Sequence, residues 1–104
     1  MERVAFKMRV FAGREAEYKK RHDEIWPELA ELLSAFGIRD YSIFHDPETN
    51  ILFATHLKTG RNRLDELFAQ PLMRKWFVMM SDIMDTNPDT TPVQVPLVPV
   101  FHMD

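Results

Sequence analysis

Residues 4–36 read VAFKMRVFAGREAEYKKRHDEIWPELAELLSAF, and the apolar period changes once within them, at Gly13. Before it, Val4, Phe6, Met8 and Val10 share one side of an extended chain while Lys7 and Arg9 fall on the other, the two-residue period of a half-buried strand. After it, Ile25, Leu29, Leu32, Leu33 and Phe36 recur at three and four residues, the spacing of an amphipathic helix. Pro27 lies inside that stretch and cannot donate an i→i−4 hydrogen bond, so a kink or a fresh helix start is expected there. Gly37 is the expected C-terminal stop.

Arg39 to Asp46 reads as a second strand, with Tyr41, Ile43 and His45 on one side and Ser42 and Phe44 on the other. His45-Asp46-Pro47-Glu48-Thr49-Asn50 is turn chemistry, and Ile51 to Lys58 is a third strand, so the two strands form a hairpin. Leu64, Leu67 and Phe68 mark a short helix. Pro71 then opens a longer one expected to run to about Met84, with Leu72, Trp76, Met80 and Ile83 in one apolar row widened by Met73, Phe77 and Met84. Asp85 to Pro96 is rich in Pro, Thr, Asn and Asp and reads as a structured loop. Val98 to His102 is the expected last strand, with Pro99 pointing to an edge position or a bulge.

The order β-α-β-β-α-β predicts an α+β fold of ferredoxin-like type, a four-stranded antiparallel sheet with both helices on one face. The other sheet face is left uncovered, which predicts a homodimer of the dimeric α/β-barrel type. A chain of 104 residues has room for a single domain, here residues 1–104, with one modest core. It nevertheless carries 8 Phe, 7 Met, 2 Trp and 2 Tyr, so some large apolar groups are expected to line a pocket or meet a second copy.

A formal charge of −3, from 13 basic against 16 acidic residues, argues against nucleic acid as the main partner. No apolar run approaches the roughly 20 residues needed to cross a bilayer, and residues 1–11 have neither signal-peptide nor transit-peptide character. The absence of cysteine excludes disulfides, iron–sulfur clusters, thiolate zinc sites and cysteine nucleophiles, and the cytoplasm is the expected compartment.

Among residues that could carry chemistry, His22 is the most informative. Followed backwards from Leu29 and Ile25 by steps of three and four, the apolar stripe reaches His22 and then Tyr18, within the charged stretch Arg14 to Glu24. An imidazole and a phenol four residues apart on one stripe sit side by side and must find partners or border a cavity. The plainer reading is a histidine at the core rim that hydrogen-bonds a backbone carbonyl. The charged stretch itself reads as the solvated side of the helix. Tyr41 fits equally a half-buried sheet tyrosine. Trp76 and Phe77 sit about 100° apart on their helix. Phe77 suits core packing, whereas Trp76 offers a flat apolar face and an N–H suited to a sugar ring. His45, His56 and His102 lie on three different predicted strands with no close ligand partner, so no metal is expected. GxSxG and GxxxxGK[ST] patterns are absent, and three glycines leave no phosphate-cradling loop.

The string Tyr18-x-x-x-His22-x-x-Ile25-Trp26-Pro27-Glu28-Leu29, with Tyr41, Trp76 and Asn87-Pro88-Asp89, resembles the L-rhamnose mutarotase family over nearly the whole chain. The resemblance implies a general acid/base role for His22 and sugar contacts for Tyr18, Tyr41 and the Trp76-Phe77 pair. It also implies an isomerase of carbohydrate metabolism that interconverts the anomers of L-rhamnose and needs no cofactor. The chain departs from the family at Phe77, where a second tryptophan is frequent; Phe keeps the apolar surface and loses the N–H. The 6-deoxy methyl of rhamnose is expected to suit a Met- and Phe-lined pocket. Two other functions are compatible with the composition: a cofactor-independent oxygenase of the dimeric α/β-barrel type, which would consume oxygen, and a non-catalytic small-molecule-binding module, which would bind sugar without changing its anomeric exchange.

Overall fold

The structure, a computed structural model, describes residues 1–104. In chain order its elements are β1 (Glu2–Arg9), α1 (Glu15–Asp23), α2 (Pro27–Ala35), β2 (Ile38–Asp46), β3 (Ile51–Lys58), α3 (Leu64–Phe68), α4 (Pro71–Met80) and β4 (Val95–Pro96). The strands form one antiparallel sheet in the order β2-β3-β1-β4, the ferredoxin-like arrangement.

Pro27 produces a fresh start rather than a kink. It occupies the first turn of α2, where its missing N–H costs nothing, and holds Trp26 in extended conformation. The hairpin turn is built as its residues suggest. The Asp46 carboxylate accepts from the Glu48 amide at 3.0 Å and the Thr49 hydroxyl at 2.8 Å, and Asn50 closes the turn at φ +60°.

One core joins the sheet to the helices, drawing on Phe6 and Met8 of β1, Val10 just beyond it, Leu52 and Ala54 of β3, Leu29 of α2 and Met73, Trp76, Phe77 and Met80 of α4. Val10, Leu29, Met80 and Ile83 are almost wholly buried, each contributing about 1.5–3 kcal/mol of apolar transfer. On the opposite sheet face Phe44, Phe53 and Val95 are exposed.

Two boundaries differ from expectation. The long helix ends at Met80, not Met84: Ser81 turns its hydroxyl onto the Val78 carbonyl at 2.7 Å. Ile83 and Met84 are still buried, but as an extended segment in which Met84 bridges Val10 and the Ile83 carbonyl accepts from the Phe11 amide at 2.9 Å. The last strand lies at Val95–Pro96, paired with Phe6 and Lys7 and prolonged by the Leu97 amide to the Ala5 carbonyl at 3.0 Å. Val98 to His102 forms no strand, and Val98, Val100 and Phe101 are exposed. Pro96 and Pro99 supply no amide hydrogens, and the free edge of β1 is already taken by residues 95–97, so the segment's alternation has no strand to pair with.

The feature that matters most for the site is a bulge in β2. Arg39 pairs with Leu57 and Ser42 with Thr55, so Asp40 and Tyr41 together oppose His56. Asp40 takes the left-handed conformation, φ +51°. Strict alternation from buried Ile38 would send Tyr41 to the open face. The extra residue turns it back to the helix side, a common use of bulges beside functional sites.

Candidate active site

A cleft of about 730 Å³ opens between α1, α2 and the β2 end of the sheet. Tyr18 and His22 enter from α1, Trp76 from α4, and Tyr41, Ile43 and His45 from β2. Because α1 turns once every 3.6 residues, Tyr18 and His22 lie one above the other, and their rings stack at 4.2 Å with planes 20° apart. Trp76 meets the His22 ring edge to face at 5.3 Å, and Trp26, from the residue before α2, packs edge to face on Trp76 at 5.2 Å. Trp26 was not among the site residues expected from the sequence, although it lies in the same string.

His22 is held by one hydrogen bond that determines its chemistry. Its Nδ1 lies 3.0 Å from the Tyr18 carbonyl oxygen, which can only accept, so Nδ1 carries the proton. The neutral ring then presents Nε2 as a free base. His22 thus bonds a backbone carbonyl and also borders a cavity. Burial lowers its pKa from the ordinary histidine value, opposed by the Tyr18 carbonyl bond and the Asp23 charge, so the base form prevails at neutral pH. Burial pushes the phenols the other way. Tyr18, with Tyr41 nearby, and Tyr41 itself are raised well above the usual tyrosine value, which keeps both as hydrogen-bond donors.

Tyr41 is braced from behind by His56, stacked at 5.2 Å with planes 28° apart, and by the edge of Phe6 at 6.5 Å. His56 is itself buried, with Nδ1–H donating to the Leu57 carbonyl at 3.1 Å. Beyond Tyr41 lies a second, smaller cavity of about 280 Å³. Phe77 lines this second cavity, packed edge to face on Phe68 at 5.2 Å, and is absent from the walls of the first. The structure thus brings Tyr18, His22, Tyr41 and Trp76 to one cleft and puts Phe77 behind it. The apolar walls of the cleft are Ile25, Leu29, Leu33, Ile43 and Leu52, aliphatic rather than the Met and Phe expected; those residues were drawn into the core and the second cavity.

The histidines considered for a metal are in separate places. His45 lines the cleft with its Nε2 3.2 Å from the Asn50 side-chain oxygen, His56 is beneath Tyr41, and His102 pairs with Asp104 at 3.0 Å near the chain end. No group of three potential ligands comes together. One residue of the charged stretch does not belong to the solvated side. Arg21 is only 20% exposed in its side chain and reaches across to the end of α4.

An α+β domain of ferredoxin-like topology, with two histidines, His22 and His45, and two phenols lining one open cleft, defines a small protein whose titratable side chains face a ligand-sized space. Comparison with known proteins is specific. A family model described as L-rhamnose mutarotase matches residues 3–103, and the chain belongs to that family. It is 53% identical over 103 residues to the L-rhamnose mutarotase of Jannaschia sp. (strain CCS1), covering 99% of each chain. It also superimposes on the crystal structure of the L-rhamnose mutarotase FA22100 from Formosa agariphila with a TM-score of 0.94, at 46% identity over the full length of both. A Chloroflexus aurantiacus protein named after the antibiotic biosynthesis monooxygenases shares 15% identity at a TM-score of 0.57, covering 98% of this chain and 95% of that one, which is a likeness of fold alone.

Proposed function

We propose that this protein interconverts the α and β anomers of L-rhamnopyranose, with His22 as the acid–base group. Mutarotation breaks the bond between C1 and the ring oxygen, removes the proton from the anomeric hydroxyl and delivers one to the ring oxygen. Nε2 of neutral His22 takes the first proton, and the resulting imidazolium returns it to the ring oxygen attached to the same carbon. Rotation about C1–C2 of the open aldehyde presents its other face, and closure runs the transfers in reverse. Tyr18 and Tyr41, protonated at neutral pH, donate hydrogen bonds to sugar oxygens. Trp76 offers the ring an apolar face, and the aliphatic walls receive the C6 methyl. Phe77 supports this arrangement from the second cavity, behind Tyr41.

The single observation that carries this reading is the 3.0 Å bond from Nδ1 of His22 to the Tyr18 carbonyl, which leaves Nε2 as a free base within the cleft. Positioned acid–base catalysis contributes on the order of 10²–10⁴-fold, enough for a reaction that already proceeds unaided. The exposed sheet face bearing Phe44, Phe53 and Val95 supports a homodimer as the working form. No helix is long and apolar enough to cross a membrane; with the cysteine-free composition, a cytoplasmic location is part of the proposal.

The test is NMR magnetisation exchange between the two anomeric protons of L-rhamnose, which should accelerate with the protein and fall by about 10²–10⁴-fold in His22→Ala. A folded His22→Ala variant with the parent rate would remove His22 from the mechanism.

A further inference from the structure

Helix α1 carries Tyr18 and His22, yet little apolar burial holds it: of its nine residues only Tyr18 is buried. A polar clamp supplies the rest, and it is centred on Arg21, the residue before His22. The Arg21 guanidinium donates to the Met79 carbonyl at 2.7 Å and to the two Asp82 carboxylate oxygens at 2.8 and 3.3 Å. Its Nε reaches Glu17, one turn back on α1, at 3.4 Å.

Each of these contacts has a physical reason. Met79 lies in the last turn of α4, where carbonyls lack intrahelical partners and the helix dipole is negative, so a cation is favoured there. Asp82 follows just beyond the helix end and takes the planar guanidinium by two parallel bonds, geometry that a lysine ammonium cannot reproduce. The clamp also spans the functional pair. Arg21 is adjacent to His22 on α1, and Met79 is three residues beyond Trp76 on α4. Between those anchors the His22 and Trp76 rings meet at 5.3 Å.

We propose that Arg21 is a positioning residue for the acid–base histidine: by clamping α1 to Met79 and Asp82 at the end of α4, it fixes the seat of the His22 ring against Trp76. The proposal deepens the mutarotase reading of His22 and rests on it for its consequence in rate, but the geometry it concerns can be read without a substrate. A surface ion pair with no such role contributes little beyond stability, and often little even to that.

The experiment compares the parent, Arg21→Gln and Asp82→Asn in the full chain by three measurements: the NMR titration of the His22 imidazole, anomeric exchange on L-rhamnose, and thermal unfolding. In Arg21→Gln the loosened ring gains water and also loses a neighbouring cation, both of which make His22 titrate at higher pH than in the parent. Asp82→Asn instead removes an anion, so a rise in that variant reports ring position alone. The kcat of Arg21→Gln should fall on the order of ten- to a hundredfold, the scale of a misplacement of about 1 Å, with a much smaller change in KM. Asp82→Asn retains the Met79 bond and should shift both in the same direction by less; it also carries the test if Arg21→Gln does not fold. An unchanged His22 titration in a folded Arg21→Gln, whatever its melting temperature, overturns the proposal. If the parent fails to accelerate anomeric exchange, the mutarotase reading falls, and the titration still decides whether the clamp exists.

Discussion

Replacing Gly37 by alanine tests how firmly the end of α2 is welded to the sheet that carries Tyr41. Gly37 has φ +84°, where an L side chain costs about 1–2 kcal/mol, partly offset by the roughly 0.4–1 kcal/mol gained when alanine stiffens the unfolded chain. Gly13 has nearly the same φ, +81°, and a Cβ added there meets nothing within 4 Å, so Gly13→Ala reports this conformational cost alone, about 1 kcal/mol net. At Gly37 the added Cβ would fall well inside contact with the Thr59 carbonyl oxygen and 2.8 Å from its carbon. Those atoms are backbone and cannot swing aside. Thr59 is also tied to the same glycine, its amide donating to the Gly37 carbonyl at 2.9 Å, so retreat breaks the junction between α2 and β3. Relieving such an overlap costs a further ~1–3 kcal/mol, which places Gly37→Ala about 2–4 kcal/mol below the parent. For a domain this size each kcal/mol moves Tm by about 4–8 °C, so Gly37→Ala should melt about 10 °C below Gly13→Ala. Thermal unfolding of the three proteins, cross-checked by urea titration, measures the gap. Equal losses in the two variants would refute the inference that the Gly37–Thr59 approach is rigid.

Stability should fall in acid in two separate windows. His22 and His56 have pKa values lowered chiefly by burial, so below about pH 6.5 the unfolded chain takes up protons that the folded chain refuses, and stability drops by at most about 1.4 kcal/mol per pH unit for each histidine until its folded pKa is passed. Asp46, Asp82 and Asp89 are held below the usual carboxylate range by hydrogen bonds to Thr49, Arg21 and Thr91 respectively, so their contribution is lost only later, as pH falls below about 4. Denaturant unfolding at pH 7, 5.5 and 3.5 reads both windows, and stability that stays flat between pH 7 and 5.5 would contradict the buried neutral state of the two imidazoles. Phe77→Leu should lower stability by about 0.5–1.5 kcal/mol through the lost edge-to-face contact with Phe68 while leaving KM for L-rhamnose unchanged; a raised KM at modest stability loss would make Phe77 a sugar contact.

What could be read from the residues alone follows the range over which each signal acts. The stacking of Tyr18 on His22 is a four-residue relation within one helix, and helical phase is enough to find it. The hairpin turn at Asp46–Asn50 and the helix start at Pro27 are equally local, governed by proline geometry and by short side chains bonding their own backbone. Alternation counted from Tyr41 onward groups it with Ile43 and His45, the residues whose side of the sheet it shares. Begun at Ile38, the same alternation would have sent it to the open side, since nothing in Ile-Arg-Asp-Tyr announces that Asp40 adopts φ +51° and inserts a bulge. The last strand failed for a related reason. Alternation at Val98 to His102 describes what a segment can do if offered an edge, and the edge of β1 had already been claimed by residues with no alternation at all. Arg21 departs furthest from what its surroundings in the sequence suggest. Its neighbours Lys19, Lys20, Asp23 and Glu24 are exposed, as a charged stretch predicts. Arg21 differs from them only because it sits three residues after Tyr18, on the flank of the buried stripe. Its partners are 58 and 61 residues away at a helix end whose position depended on where α4 stopped. A charge beside an apolar stripe should therefore be asked which helix terminus it can reach before it is given to solvent.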